Sequence, residues 1–402
     1  MFWKTPRNTH RIYLDAAAAT PLSGVAHREL LRLLGVYGNP GALHQEALAA
    51  KAKLDRSREM VATAIGAHTD EIIFTSGGTE ANNLAIRGTL APLLGTGSRV
   101  HAITSAIEHP SVLEPLRALV PDGLELTELP VNEAGLVSAK ELAAAVTDHT
   151  AFVSVQLVNS EIGTIEPIRA IAKEIRRIRK DRLQRSDLCT QPLCFHCDAS
   201  QAPLWLTVGV EQLGVDLLTL DGQKIMGPKG VGALYVRRGT TLQPQSRGGG
   251  QEKGRRGGTE DVPLCGSFSA ALIDAQHDTS IRSAHTASLR DLLCSKIMRL
   301  MPEARVNGAV GDERVANNLN ISIPGLDGEM AVIALDAEGV AASTRSACDS
   351  SDEQPSHVLV ALGLEPIRIK GALRLTLLPT TTKKDVLRAA HILADVAKRY
   401  RA

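Results

Sequence analysis

The chain has 402 residues, 44% of them hydrophobic, and its 45 Lys and Arg almost cancel 44 Asp and Glu. That length exceeds a single small core and predicts two domains sharing an interface, while the balanced charge speaks against a nucleic-acid binder and for a small polar substrate. No apolar run reaches the roughly 20 residues that span a bilayer, the opening MFWKTPRNTHRIYLD has no signal-peptide stretch, and six scattered Cys read as free thiols of a cytoplasmic protein.

From His44 to Gly66 apolar residues recur at helical spacing, and from there to about Arg238 short β-branched runs alternate with amphipathic segments. The runs are EIIFTS, VHAITS, LELTELPV, AFVSVQLV, PLCFHCD, VDLLTL and GVGALYV. This alternation predicts an α/β domain built on a mainly parallel, seven-stranded sheet flanked by helices, with ligands beyond the carboxyl ends of the strands. Lys180–Pro192 is polar and irregular and reads as an exposed loop. After the glycine-rich basic segment RGGGQEKGRRGGTED comes a long helical stretch from Val262 to Met301. The strand-like NNLNISIP, a helix near Glu329 to Leu335, a strand near Val340 and a helix after Thr382 then predict a smaller α+β domain. The expected division is 15–262 for the large domain and 1–14 with 263–402 for the small one.

Three motifs fall just past strands of that sheet. TSGGTEANN, Thr75 to Asn83, opens a helix with Gly77, Gly78 and Thr79; glycines let the backbone approach an anion, which the free N–H groups and dipole of a helix start bind. A plain strand-to-helix turn with a Thr cap is the alternative. Asp198, ending LCFHCD, could hold a pyridine nitrogen protonated and so make the ring an electron sink, or serve only as a turn residue. Lys224 in LDGQKIMGPKG, between Gly222 and Gly227, suits a Schiff-base lysine in a partly dry pocket. One site explains the ordered set better than three accidents do. A fourth residue, Cys348 in ASTRSACDSSDEQPSH, sits among small polar residues suited to a mobile loop, three positions from Arg345, which would favour its nucleophilic thiolate.

Together with YLDAAAATP, YGNPGALH, SAIEHPSV, LVNSEIGTIEPI, HCDASQA, GGGQEKGRRGGTEDVP, NNLNISI and LRLTL, these motifs make nearly the whole chain resemble the class V, fold-type I pyridoxal-phosphate (PLP) enzymes. Within them it is similar to the group I cysteine desulfurases of the NifS/IscS type. The resemblance implies PLP on Lys224, phosphate contacts from Gly78 and Thr79, Asp198 at the pyridine nitrogen and Gln201 at the ring hydroxyl. It puts Ser160, Asp221, Gly222 and Gln223 at further cofactor-contact positions. His109 matches the imidazole that stacks on the ring and moves protons. Thr259 resembles the residue that reaches the phosphate of a neighbouring subunit, which implies a homodimer. Arg374, helped by Asn39, matches the clamp for the substrate carboxylate. The implied reaction converts L-cysteine to L-alanine and leaves a persulfide on Cys348. That sulfur would pass to acceptors such as iron–sulfur scaffold or tRNA-thiolation proteins.

Several positions depart from the family pattern. Ser160 stands where a second Asn is usual, Arg345 replaces a Gly, and Leu378-Pro379 replaces Gly-Arg. The family's Ser-Gly-His-Lys reads Asp221-Gly222-Gln223-Lys224. A carboxylate about 4 Å from a phosphate charge costs about 4 kcal/mol per pair at an effective dielectric near 20, so Asp221 is expected to point away or to be compensated by a cation such as Arg256, while the Gln223 amide donates to the phosphate. Cys194 and Cys197, with His196 between and Cys189 upstream, invite a zinc reading, but residues three apart on a strand face opposite sides and no metal is expected. Cys265 and Cys294 read as packed apolar groups. Other class V activities (selenocysteine lyase, aminotransferase, epimerase) and a cofactor-free scaffold on the same fold remain as alternatives.

Overall fold

The computed structural model describes residues 11–95, 97–185, 192–344 and 355–400. It opens with β1 (Ile12–Tyr13), α1 (Gly24–Leu33) and α2 (Gln45–Ile65). Ser23 and His44 cap these helices by accepting the Ala26 and Ala47 N–H groups. Gly66, at φ +67°, ends α2 in the left-handed conformation that glycine adopts without strain. The alternation then runs β2 (Ile72–Thr75), α3 (Gly78–Leu94), β3 (Val100–Ser105), α4 (Pro110–Arg117), β4 (Leu124–Leu129), α5 (Ala139–Ala145) and β5 (Thr150–Ser154). It continues with α6 (Ile168–Gln184), β6 (Cys194–Asp198), α7 (Val210–Leu213), β7 (Leu217–Asp221) and β8 (Gly232–Val236).

Each expected run supplies one strand of a seven-stranded sheet ordered β2-β8-β7-β6-β5-β3-β4. Neighbours are parallel except where β8 pairs with β2 and β7. Helices cover both faces, so the inner strands are buried from end to end, which is why they read as continuous apolar runs. On β6 the side chains alternate: Cys194 enters one core with Leu217 and Leu234, while Phe195 and Cys197 enter the other with Leu218 and Ala233. The two thiols of the CxxC therefore point to opposite faces of the sheet.

Two expectations need correction. Lys180–Gln184 are the last residues of α6, not a loop, and Arg182 is buried, donating to the carbonyls of Thr147 and Thr150. Beyond Ile178 the inward positions of this helix are arginines whose stems pack and whose heads find carbonyls, so apolar periodicity stops before the helix does; residues 186–191 lie outside the described segments. The single stretch predicted from Val262 to Met301 is two helices, α8 (Val262–Gln276) and α9 (Thr279–Leu300), broken at Asp278 with φ +51°. α8 packs on α1 and α2, and its Val262, Phe268 and Leu272 belong to the core under the large sheet.

The rest forms a second core. β9 (Arg305–Val306), β10 (Asn318–Ser322), α10 (Gly328–Ala337), β11 (Val340–Ala341), α11 (His357–Ala361), α12 (Pro366–Lys370), β12 (Ala372–Thr376) and α13 (Lys383–Tyr400) follow in order. A three-stranded antiparallel sheet β12-β10-β9 packs with α9 and α13 around Leu293, Ile321, Leu375 and Leu393, and β1 pairs with β11 beside it. No described helix is long and apolar enough to cross a membrane.

The glycine-rich loop after β8 is tied to α2 by one ion pair. Arg58 makes two 2.7 Å bonds to the Glu252 carboxylate, which also accepts the Phe74 N–H and is 1% exposed. Arg58→Met strands this buried charge and is expected to lower the unfolding free energy by about 3–5 kcal/mol in denaturant titration; a loss below about 1 kcal/mol would show that the pair does not anchor the loop.

Candidate active site

The close approach of α3 to the sheet builds the site. Gly77 caps α3 at φ +149°, and a Cβ on Gly232 would stand 2.8 Å from Gly77 Cα and 2.5 Å from Leu220 O. Glycine at these points brings the start of α3 onto the ends of β7 and β8. A cavity of about 270 Å³ opens there, lined by Gly78, Thr79, His109, Ser160, Asp198, Gln201, Asp221, Gln223, Lys224 and Arg374 among others. Most of the residues picked out by sequence thus meet around one space.

Lys224 follows β7 in a tight turn, and its Nζ donates to the carbonyls of Ala17 at 2.9 Å and Ala18 at 2.6 Å. Gln201 donates to the same Ala17 carbonyl at 2.9 Å. Gly222 leaves no room for a side chain, since a Cβ would lie 2.6 Å from Pro228 O. Asp198, at the end of β6, accepts the Ser200 N–H at 2.9 Å and the Asn82 amide at 2.8 Å. The same Asn82 nitrogen donates to Ser111 Oγ at 2.8 Å, and Ser111 Oγ lies 2.7 Å from His109 Nδ1. Because Nδ1 also accepts the Ser111 N–H at 3.1 Å, the neutral His109 ring carries its proton on Nε2. A polar chain therefore runs from Asp198 through Asn82 and Ser111 to His109. Behind it Glu108 is fully buried, and desolvation pushes its carboxyl well above the usual range although Ser105 and Gln156 donate to it.

Arg374 comes from β12 of the second core and is 1% exposed. Its Nη2 pairs with Asp15 at 2.8 Å, its Nη1 lies 3.4 Å from Ser160 O, and its Nε has no partner among the described residues. Asn82 Oδ1 is another buried atom at the cavity without a partner among the described residues. Unmet buried polar atoms beside a cavity suit a polar ligand.

The Asp221 carboxylate lies at the start of α3. It does not point away: its Oδ2 lies 3.2 Å from where a Cβ on Gly78 would stand, at the start of α3. Nor does Arg256 compensate it, because that guanidinium is bound to Glu80 at 2.9 Å. The Gln223 amide points to Asp221 at 3.3 Å. Burial raises the Asp221 pKa, opposed by the Lys224 charge and by donors from Gln223 and Gly78.

Thr259 and Asn39 do not line the cavity. Thr259 is exposed near the end of the glycine-rich loop, and Asn39 is exposed with its Oδ1 accepting the Gly41 N–H. Cys348 and Arg345 lie outside the described residues, which stop at Thr344 and resume at Pro355. Sequence reasoning missed Asp15, Asn82, Ser111 and Ser200. The available signal was a set of polar residues at apolar-facing or strand-terminal positions, such as Asn82 beside Ala81 and Leu84 on the inner side of α3.

A family model described as Aminotransferase class-V matches residues 12–388, and the chain belongs to that family. Among its curated relatives, a protein named cysteine desulfurase IscS from Dictyoglomus turgidum is 39% identical, over 97% of this chain and 95% of that protein. One of the same name from Methanosarcina thermophila is 38% identical over 97% and 93%. A solved structure titled NifS-like protein superimposes with TM-score 0.88 at 29% identity, covering 97% of this chain and all of that one. Another, SspA in complex with cysteine, gives 0.78 at 31% identity over 92% of this chain and all of that one.

Asn82→Leu keeps the volume but removes the shared donor of Asp198 and Ser111. It is expected to lower the unfolding free energy by about 1–3 kcal/mol, and an unchanged denaturation midpoint would remove Asn82 from the network.

Proposed function

We propose that the protein is a pyridoxal-phosphate-dependent cysteine desulfurase that converts L-cysteine to L-alanine and carries the removed sulfur on Cys348. The convergence of Lys224, Asp198 and Arg374 on one cavity of about 270 Å³ carries this reading. Desulfurase names among the relatives and the cysteine complex of one structural neighbour support the substrate.

The donor set fits the cofactor at its reactive end: an amine, a carboxylate held by two donors, and an imidazole with a fixed tautomer. When bound, pyridoxal phosphate supplies an aldehyde for the substrate amine and a protonated ring that takes up electrons from Cα. Lys224 Nζ would hold that aldehyde and move the Cα proton. Asp198, its oxygens fixed by Asn82 and Ser200, would keep the ring nitrogen protonated. His109 would cover the ring face, and Gln201 would turn its amide to the ring hydroxyl. Arg374 would orient the substrate carboxylate, exchanging part of its contact with Asp15. The Cys348 thiolate would attack the substrate sulfur; the carbon–sulfur bond breaks, and a persulfide remains on Cys348 while the three-carbon fragment is protonated to alanine.

Thr259, exposed near the end of the glycine-rich loop, would reach the phosphate site of a second subunit, making a homodimer. Sulfur-acceptor proteins, such as an iron–sulfur scaffold or a tRNA-thiolation enzyme, would take the persulfide. A reducing cytoplasm suits this chemistry and the free thiols of Cys194, Cys197, Cys265 and Cys294.

After exposure to cysteine, mass spectrometry is expected to find one added sulfur on Cys348. Cys348→Ala should lose alanine and sulfide production while retaining the visible absorbance of the bound cofactor; full activity of that variant with a reductant present would exclude the persulfide route.

A further inference from the structure

The anion cup at the start of α3 already holds a carboxylate of this chain. Asp221 ends β7, is 7% exposed and presses its carboxylate against the Gly77–Gly78 turn. The backbone N–H of Gln223 donates to Oδ1 at 3.2 Å, and the Gln223 amide donates to Oδ2 at 3.3 Å. A Cβ on Gly78 would stand 3.0 Å from Ser200 Oγ and 3.2 Å from Asp221 Oδ2, so hydroxyl and carboxylate crowd the same point. Two donors beside that turn, the Gly78 N–H and the Gln223 amide, are thus engaged by Asp221.

Among the described residues, the charged groups around it leave little to neutralise a second anion. From its own turn, Lys224 acts on it by charge. From α3, Glu80 is bound to Arg256 and to the Ser76 N–H. From the end of β6, Asp198 is bound to Asn82 and Ser200. β8 contributes Gly232 at this level, which has no side chain.

Building on the cofactor reading above, we propose that Asp221 is a built-in competitor for the cofactor's phosphate, so that binding the phosphorylated cofactor requires Asp221 to take up a proton. Like charges so close cannot both persist in a partly dry pocket, and the carboxyl is the partner that can become neutral. Its burial makes that protonation easier, since desolvation already raises its pKa. The linkage sign follows: a proton taken up on binding makes affinity fall as pH rises, by up to about tenfold per pH unit once Asp221 is ionised in the free protein. Asp221 thereby sets how strongly this site prefers pyridoxal phosphate over pyridoxal, which lacks the phosphate.

The test measures the dissociation constants of pyridoxal phosphate and of pyridoxal, by absorbance titration across neutral to alkaline pH, for the full-length protein and Asp221→Asn. The ratio of the two constants isolates the phosphate contribution, because ionisation of Lys224 affects both aldehydes. Comparing the two proteins cancels the phosphate's own ionisation near pH 6. The expected result is a preference for the phosphorylated form at least about tenfold greater in Asp221→Asn at alkaline pH, with the gap between proteins widening as pH rises. If Asp221→Asn does not fold, Asp221→Ser carries the same comparison. Binding of pyridoxal phosphate with equal ratios in both proteins at every pH overturns this inference alone. No binding of either aldehyde to either folded protein overturns the cofactor reading, and this inference with it.

Discussion

The cavity depends on how closely the first turn of α3 lies against the ends of β7 and β8. A side chain at Gly232 would collide with Gly77 and with the Leu220 carbonyl, and one at Gly78 would crowd Ser200 and Asp221. Remove that approach and the helix start, Asp198 and Lys224 no longer share a wall. Its cost is backbone freedom at glycine and a set of buried polar groups that need partners. Asn82 meets much of that need, since one side-chain nitrogen serves both Asp198 and Ser111, and through Ser111 the tautomer of His109. Cofactor chemistry depends on such orientation, because a carboxylate or imidazole that rotates freely does not hold a proton at a fixed atom.

Two carboxylates of the chain stand against the groups that read as anion binders. Asp15 pairs with Arg374, and Asp221, beside the α3 start, accepts from the Gln223 backbone N–H and side-chain amide. They differ in consequence. An arginine keeps its charge, so a substrate carboxylate and Asp15 can share its fork of donors. At Asp221 the cation acting on the carboxylate is Lys224, the residue proposed to hold the aldehyde, so proton uptake is the proposed way to remove the conflict. On the proposed reading, the substrate end of the site depends on geometry and the phosphate end on pH.

Much of the architecture was legible because parallel strands covered on both faces must be apolar throughout. All seven runs became strands, and Lys224 and Asp198 were findable as charged residues at the ends of two of them. What was hidden had no periodic signature. Arg182 finishes α6 facing inward where an apolar residue would be looked for, and Asp278 breaks a helical stretch through a left-handed conformation that Asp tolerates. Asp15 and Asn82 matter only through partners far away in sequence, Arg374 and Asp198. The orientation of Asp221 was equally unreadable, because a carboxylate at a strand end can turn outward or toward the helix start, and only packing decides.

The proposed chemistry stands on Lys224 as the residue that holds the cofactor. Borohydride reduction of the protein incubated with pyridoxal phosphate fixes the aldehyde on whichever amine carries it, and peptide mass spectrometry then locates the label. The account predicts the pyridoxyl-phosphate group on Lys224. A label on another lysine, such as the nearby Lys229, or no stoichiometric label at all, would contradict it.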